Sequence, residues 1–150
     1  MPTFTPEDLM NMETAGEMET TFSPVPEGEY TASVEKVTSR VVGQDKDKPL
    51  FDILWKLHDI SDAIKAEVGQ DEPTVRQSVF LDMDDNGRLA MGKNKNVQLG
   101  RIRDALGQNT PARWNPNMML GMRAKVRVAH RADPQTGAVY GEVKAVAALR

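Results

Sequence analysis

The sequence has no cysteine among its 150 residues, and only 5% of them are aromatic. The lack of cysteine excludes a disulfide framework, a thiol nucleophile and a cysteine-based zinc site. No apolar run approaches the roughly 18–20 residues that a membrane-spanning helix needs. The first residues, MPTFTPEDL, lack the basic and then apolar order of a secretory signal. We therefore expect a soluble cytoplasmic protein that has no membrane partner.

Basic residues are also missing from the first 35 positions, although the net charge of the whole chain is only −3. That segment carries eight Asp and Glu residues. The segment from Arg88 to Arg131, in contrast, contains ten Lys and Arg residues and only one acid, Asp104. Such segregation indicates an anionic partner for the basic third of the chain. The segment SPVPEG resists regular structure and separates two regions. We interpret residues 1–25 as a flexible acidic arm and residues 26–150 as one folded domain.

Alternation of apolar and polar residues predicts five strands in the folded domain. In the third strand the pattern turns Met83 inward, and in the fifth it turns Val139, Val143 and Ala145 inward. The five segments read EYTASVEKVTSRVV, LFDILWKLHDI, TVRQSVFLDMD, MRAKVRVAHRAD and AVYGEVKAVAAL.

One helix is predicted between the third and fourth strands, because Leu99, Ile102 and Leu106 recur at helical spacing. Asn94 or Asn96 is expected to cap its start, and Gly107 to end it. Three strands, a helix and two strands follow the order of the OB-fold, a small, partly open Greek-key barrel. We predict a mainly β protein with a five-stranded OB-fold-like barrel; an irregular sandwich or a split α+β sheet is the structural alternative.

Positive charge is expected on one face of the fourth strand, because alternate residues of a strand point the same way. Two further lysines precede the helix, where backbone N–H groups and the helix dipole favour an anion, and two arginines lie on the helix. Together these cations are the predicted phosphate contacts: Arg123, Lys125, Arg127, Lys93, Lys95, Arg101 and Arg103.

The few aromatic residues complete the candidate binding surface. Phe80 and Tyr140 fall on the polar faces of their strands, and Trp114 lies in a loop rich in Pro and Asn. Proteins that bind single strands combine a positive groove with aromatic rings on which bases stack. Trp55 stands among apolar neighbours and favours the core, but it is kept among the candidate contacts.

Sequence motifs for catalysis are missing, including a P-loop, a nucleophile elbow and a paired-histidine zinc motif. We therefore expect no enzymatic activity, no cofactor and no metal site. The alternative within the enzyme class is a small metal-dependent nuclease that uses the cluster Asp82, Asp84 and Asp85.

The segments VPEGEYTASVEKV, LGRIRDALG, LGMRAKVRV and TGAVYGEVKAV resemble the phage-encoded OB-fold single-stranded-DNA-binding proteins. The resemblance spans residues from Pro26 to Leu149. It implies sequence-tolerant binding and protection of single-stranded DNA in phage replication or recombination, within the host cytoplasm. Members of that family bind DNA in a basic groove with stacked aromatic rings.

Many single-strand-binding proteins have an acidic carboxyl-terminal tail. In this chain the acidic segment lies at the amino terminus instead, and the carboxyl end reads KAVAALR. We hypothesise that the amino-terminal arm does the work of that tail, by occupying the basic groove when DNA is absent or by engaging phage or host replication proteins. RNA binding, and a phage interaction or inhibitor module that binds no nucleic acid, are the remaining alternatives.

Overall fold

The protein is represented by a computed structural model that describes residues 3–149. Five strands and a few short helices follow one another in an order that agrees with the prediction of a mainly β chain. In chain order the elements are α1 (Pro6–Met10), β1 (Gly28–Val42), β2 (Lys48–Leu57), α2 (Asp62–Val68), β3 (Thr74–Phe80), α3 (Val97–Ala105), a 3₁₀ turn (Pro116–Met119), β4 (Arg123–Ala132) and β5 (Val139–Ala147).

The five strands form one mixed sheet that closes into a ring in the order β1-β2-β3-β5-β4. All neighbouring strands are antiparallel except β3 and β5, which run parallel and meet at one register pair, Arg76 with Glu142. By contrast, β2 and β3 pair continuously, from Leu50 opposite Phe80 to Lys56 opposite Thr74. The β3–β5 seam is therefore the most weakly paired part of the ring.

The core fills the inside of this ring, because each strand turns its apolar alternate residues inward. Trp55 is the largest of the fully buried side chains, with 0% of its surface exposed. Its indole Nε1 donates a 2.9 Å hydrogen bond to Oε1 of Gln77, the one buried polar side chain of the described core. Leu99 and Ile102 of α3, and Leu106 directly after it, belong to the same cluster, as their helical spacing predicts.

Two predicted inward positions of the last strand, Val139 and Ala145, are wrong, and a bulge in β5 explains the second of them. Arg127 pairs with Ala145 but its neighbour Val128 pairs with Val143, so Lys144 is an extra residue in the ladder. The bulge reverses the alternation, so Val143 is buried and Val146 packs against the core while Ala145 is exposed. Val139, at the start of the strand, is also exposed.

The third strand ends earlier than its sequence pattern predicts. After Phe80 the chain leaves the ladder, and exposed Met83 makes only an isolated bridge to Leu89. In the turn between them only Gly87 has a positive φ, at 75°. The Asp84 carboxylate accepts hydrogen bonds from the backbone N–H groups of Asn86 and Arg88. The dipeptide Asn86-Gly87 is typical of a two-residue hairpin turn, but this Asp-centred turn takes its place.

The predicted arm contains one short helix, α1, whose Thr5 hydroxyl accepts a hydrogen bond from the Asp8 N–H. None of the residues of α1 is buried. Its exposed apolar side chains include Leu9 and Met10. No helix within residues 3–149 is long and apolar enough to cross a membrane.

Candidate nucleic-acid interface

The three predicted cations of β4 lie together on the outer face of that strand. Arg123, Lys125 and Arg127 are exposed, whereas the alternate residues Ala124, Val126 and Val128 are buried. We call these three cations the β4 row; neighbours in it are about 6.6–6.8 Å apart. On the adjacent strand β1, Glu29 stands opposite Arg127 and lies 4.0 Å from the Lys125 ammonium. One acid therefore reduces the positive charge of the row.

Phe80 and Tyr140, the two aromatic residues predicted on strands, are not beside the β4 row. They line a groove across the weakly paired β3–β5 seam. Phe80 of β3 is 57% exposed and Tyr140 of β5 is 45% exposed. Both line a groove with a volume of about 620 Å³. Its other charged lining residues are Arg40, Arg76, Arg131 and Glu142. We call this surface the arginine–aromatic groove, because three cations surround two exposed rings.

A network of polar contacts orders one wall of the groove. The Asp52 carboxylate of β2 accepts hydrogen bonds from Arg40 Nε at 2.6 Å and from the Ser78 hydroxyl at 2.7 Å. Burial alone would raise the pKa of Asp52, but these hydrogen bonds and the positive charges of Arg40 and Arg76 lower that pKa below its ordinary value. The carboxylate therefore stays ionised at neutral pH and holds the Arg40 side chain in place.

Arg131 connects the groove with the β4 row. It pairs in register with Tyr140 and forms a 3.5 Å ion pair with Glu142. It also lies four residues beyond Arg127 on the same strand and the same face, a separation of about 13 Å along β4. The two cationic surfaces are therefore consecutive sections of one path that runs along β4 and into the groove.

Sequence reasoning did not include Arg40, Arg76 and Arg131 among the candidate contacts. The sequence did contain a signal for Arg76, because this residue lies on the same outward face of β3 as Phe80. Arg131 continues the odd-numbered alternation of the β4 row. Arg40 carries no such signal: its place depends on the β1–β2 register, in which it lies diagonal to Asp52.

Arg103 and Trp114 form a contact with each other, which differs from their predicted role as separate DNA contacts. The Arg103 guanidinium carbon lies 4.6 Å from the centre of the Trp114 ring. The same guanidinium donates a 3.0 Å hydrogen bond to the carbonyl of Gln108, whose side-chain oxygen accepts from the Trp114 indole. Both side chains are only partly exposed. They fasten the loop after α3 to the helix, so one face of the ring is covered.

Trp55 must be removed from the contact set. Its ring is enclosed in the core and its indole N–H is satisfied by Gln77, so no base can reach it in this conformation. The apolar residues at 51, 53 and 57 were the sequence signal for this placement.

Lys93, Lys95 and Arg101 are exposed, as predicted for phosphate contacts. The start of α3 is fixed by Asn96, which has a left-handed φ of 49°. Its side chain does not cap the helix: it accepts a 2.8 Å hydrogen bond from the Asp82 N–H and donates to the carbonyls of Asp82 and Ala90. Asp82 is two residues beyond Phe80, so Asn96 joins the start of α3 to the segment that follows β3.

Two aspartates of the nuclease alternative, Asp82 and Asp84, accept hydrogen bonds from backbone N–H groups. The Asp82 carboxylate accepts from the Asn96 N–H at 2.9 Å, and that of Asp84 caps the turn described above. Within residues 3–149, no group of three or more His, Cys, Asp and Glu side chains is arranged to hold a metal ion.

The interface thus consists of a groove with two exposed rings and three arginines, and of a strand face that continues from it. A comparison with protein-family models and a search of curated proteins found no match to this chain.

Proposed function

We propose that the protein binds single-stranded DNA with little sequence preference and protects it during phage DNA replication or recombination. The observation that carries the proposal is the juxtaposition of exposed Phe80 and Tyr140 with Arg40, Arg76 and Arg131 in one groove. Aromatic rings stack on the flat face of any base, and cations neutralise the phosphates between bases. Such a surface performs no chemistry and needs no cofactor.

The fold supports the same proposal. Five strands in a ring, with α3 between β3 and β4, are what an OB-fold requires, and that fold binds oligonucleotides on the face of its second and third strands. The groove includes Leu54 of β2 and Arg76, Ser78 and Phe80 of β3. We therefore propose that the domain is an OB-fold that uses this face, and that the host cytoplasm is its place of action.

The amino-terminal arm is proposed as a contact for phage or host replication proteins. Support comes from α1, where the exposed apolar residues Leu9 and Met10 follow the acids Glu7 and Asp8. A basic protein surface with an apolar centre would complement that combination of side chains.

Titration of a fluorescently labelled dT oligomer, followed by anisotropy, tests the proposed function. We expect saturable binding at low salt, similar affinities for dT and mixed-sequence strands, and weaker binding of duplex DNA. The logarithm of the affinity should fall with the logarithm of salt by about 0.7 per phosphate contact. An RNA competitor of equal length measures the preference between the two nucleic acids. If the dT oligomer does not bind at low salt, the proposal is wrong.

A further inference from the structure

A second cavity lies beside the arginine–aromatic groove and shares part of its lining. It has a volume of about 400 Å³, within the range of small-molecule sites. Four residues line both spaces: Thr74, Val75, Tyr140 and Gly141. The cavity therefore adjoins the groove at the Tyr140 ring. We call it the N-terminal pocket, because residues 20–25 form one of its walls.

The wall contributed by residues 20–25 is attached to the sheet at its last residue, Val25. Val25 is buried, and its carbonyl accepts a 2.8 Å hydrogen bond from Nε2 of His130. The next residue, Pro26, accepts a 2.7 Å hydrogen bond from the Tyr30 hydroxyl, and burial raises the pKa of that hydroxyl. The partner side chains lie on β1 and β4, so Val25, which the sequence assigns to the arm, packs as part of the folded domain.

Gly141 explains how this wall approaches the sheet so closely. A Cβ atom at this position would lie 3.2 Å from a methyl carbon of Val128 and 3.6 Å from the Val25 carbonyl oxygen. Because glycine has no such atom, Val25 packs directly over β5 at the point where the pocket meets the groove.

The chemistry of the N-terminal pocket differs from that of the groove. Its lining residues, all from the described chain, carry no charge. Val25, Val68 and Val75 supply apolar surface, and hydroxyl or amide groups come from Thr20, Thr21, Ser23, Gln70 and Thr74. A phosphate has no cation to meet here. A nucleobase, with apolar faces and polar edges, matches both kinds of group.

Phe22 adds an aromatic ring at the mouth of the pocket. It lines the pocket together with Tyr140 and is 85% exposed. Its exposed ring is therefore free to stack on a base at this cavity. The two rings lie on different walls of the pocket, so a base that enters has an aromatic side chain from each wall available for stacking.

We propose that the N-terminal pocket is a nucleobase subsite, which takes the base at one end of the strand bound in the groove and stacks it on Phe22. This inference rests on the proposed function and extends it: residues 20–25 belong to the binding surface, and the site distinguishes one end of a bound strand from the other.

The test compares Phe22→Ala with Phe4→Ala, which removes an aromatic ring that is 61% exposed in the same acidic region but lines neither cavity. Anisotropy titrations use dT oligomers of increasing length. Phe22→Ala should leave the affinity for the shortest bound oligomers unchanged and lower that for longer ones by about 5- to 150-fold, the effect of losing one stacked base. Phe4→Ala should match the wild type at every length.

A second measurement replaces the terminal nucleotide of the long dT oligomer by an abasic residue, at the 5′ or the 3′ end. Removal of the base from one of the two ends should weaken binding to the wild type and have no effect on Phe22→Ala. If Phe22→Ala binds like the wild type at all lengths, or loses the same factor at all lengths, the subsite is refuted while the groove stands. If the wild type binds no dT oligomer, both the subsite and the proposed function are refuted.

Discussion

Simultaneous replacement of Phe80 and Tyr140 by alanine should weaken binding of a dT oligomer by at least about 30-fold. Each base that stacks on an aromatic side chain contributes about 1–3 kcal/mol, and each 1.4 kcal/mol corresponds to a tenfold change in affinity. Two rings together therefore account for about 2 kcal/mol or more. Both side chains are largely exposed and lie on the outer face of the sheet, so their removal leaves the core intact.

Thermal unfolding and anisotropy titrations of the same samples separate loss of binding from loss of folding. The matched control is Phe4→Ala, which deletes an exposed ring outside the groove. The double variant should unfold at nearly the wild-type temperature and bind far more weakly, whereas the control should change neither quantity. Wild-type affinity in the folded double variant would show that bases do not stack on these rings.

Replacement of Arg76 and Arg131 by glutamine should make the dependence of affinity on salt less steep. Each phosphate contact with a single strand adds about 0.7 to the slope of log affinity against log salt. The double variant should therefore reduce the magnitude of that slope by about 1.4. Glutamine is shorter but polar and uncharged, and both arginines are exposed, so the change reports the lost charge rather than lost packing.

Two further variants provide a control for net charge and a test of whether the bound strand continues along β4. The control Arg88→Gln with Arg113→Gln also removes two positive charges, from exposed loop positions outside the groove and the β4 row, and its slope should stay at the wild-type value. The triple variant Arg123→Gln, Lys125→Gln and Arg127→Gln should reduce the slope by about 2.1 if the strand continues along the β4 row. An equal change in the control and in the groove variant would mean that the slope reflects net charge and not specific contacts.

The strand alternation explains why so much of the fold is predictable from the sequence. In β4, Ala124, Val126 and Val128 alternate with charged residues without interruption, so the pattern alone assigns both faces. The same reasoning fails in β5, because nothing in AVYGEVKAV marks Lys144 as a bulge. A bulge is decided by the fit of β5 against β4, which involves residues far apart in the chain.

The site was less predictable than the fold for a related reason. Sequence spacing identifies which residues share a face of one strand, but not which strands adjoin each other. Phe80 and Tyr140 were identified one by one, whereas their meeting depends on the parallel β3–β5 contact at Arg76 and Glu142. Arg103 and Trp114 are residue types that are typical of a nucleic-acid-binding surface, but in the structure they contact each other. Phe22 was assigned to the arm because residues 1–25 show neither the period of a strand nor that of a helix.

Photo-crosslinking tests the central claim most directly, because it shows which residues touch the bases. A dT oligomer that contains 5-bromodeoxyuridine is bound to the wild-type protein, irradiated, and the attached peptides are identified by mass spectrometry. Our account predicts crosslinks at Phe80 or Tyr140, which should disappear when an excess of unlabelled dT oligomer competes. Crosslinks confined to the loop around Trp114 or to α3, with none on β3 or β5, would contradict it.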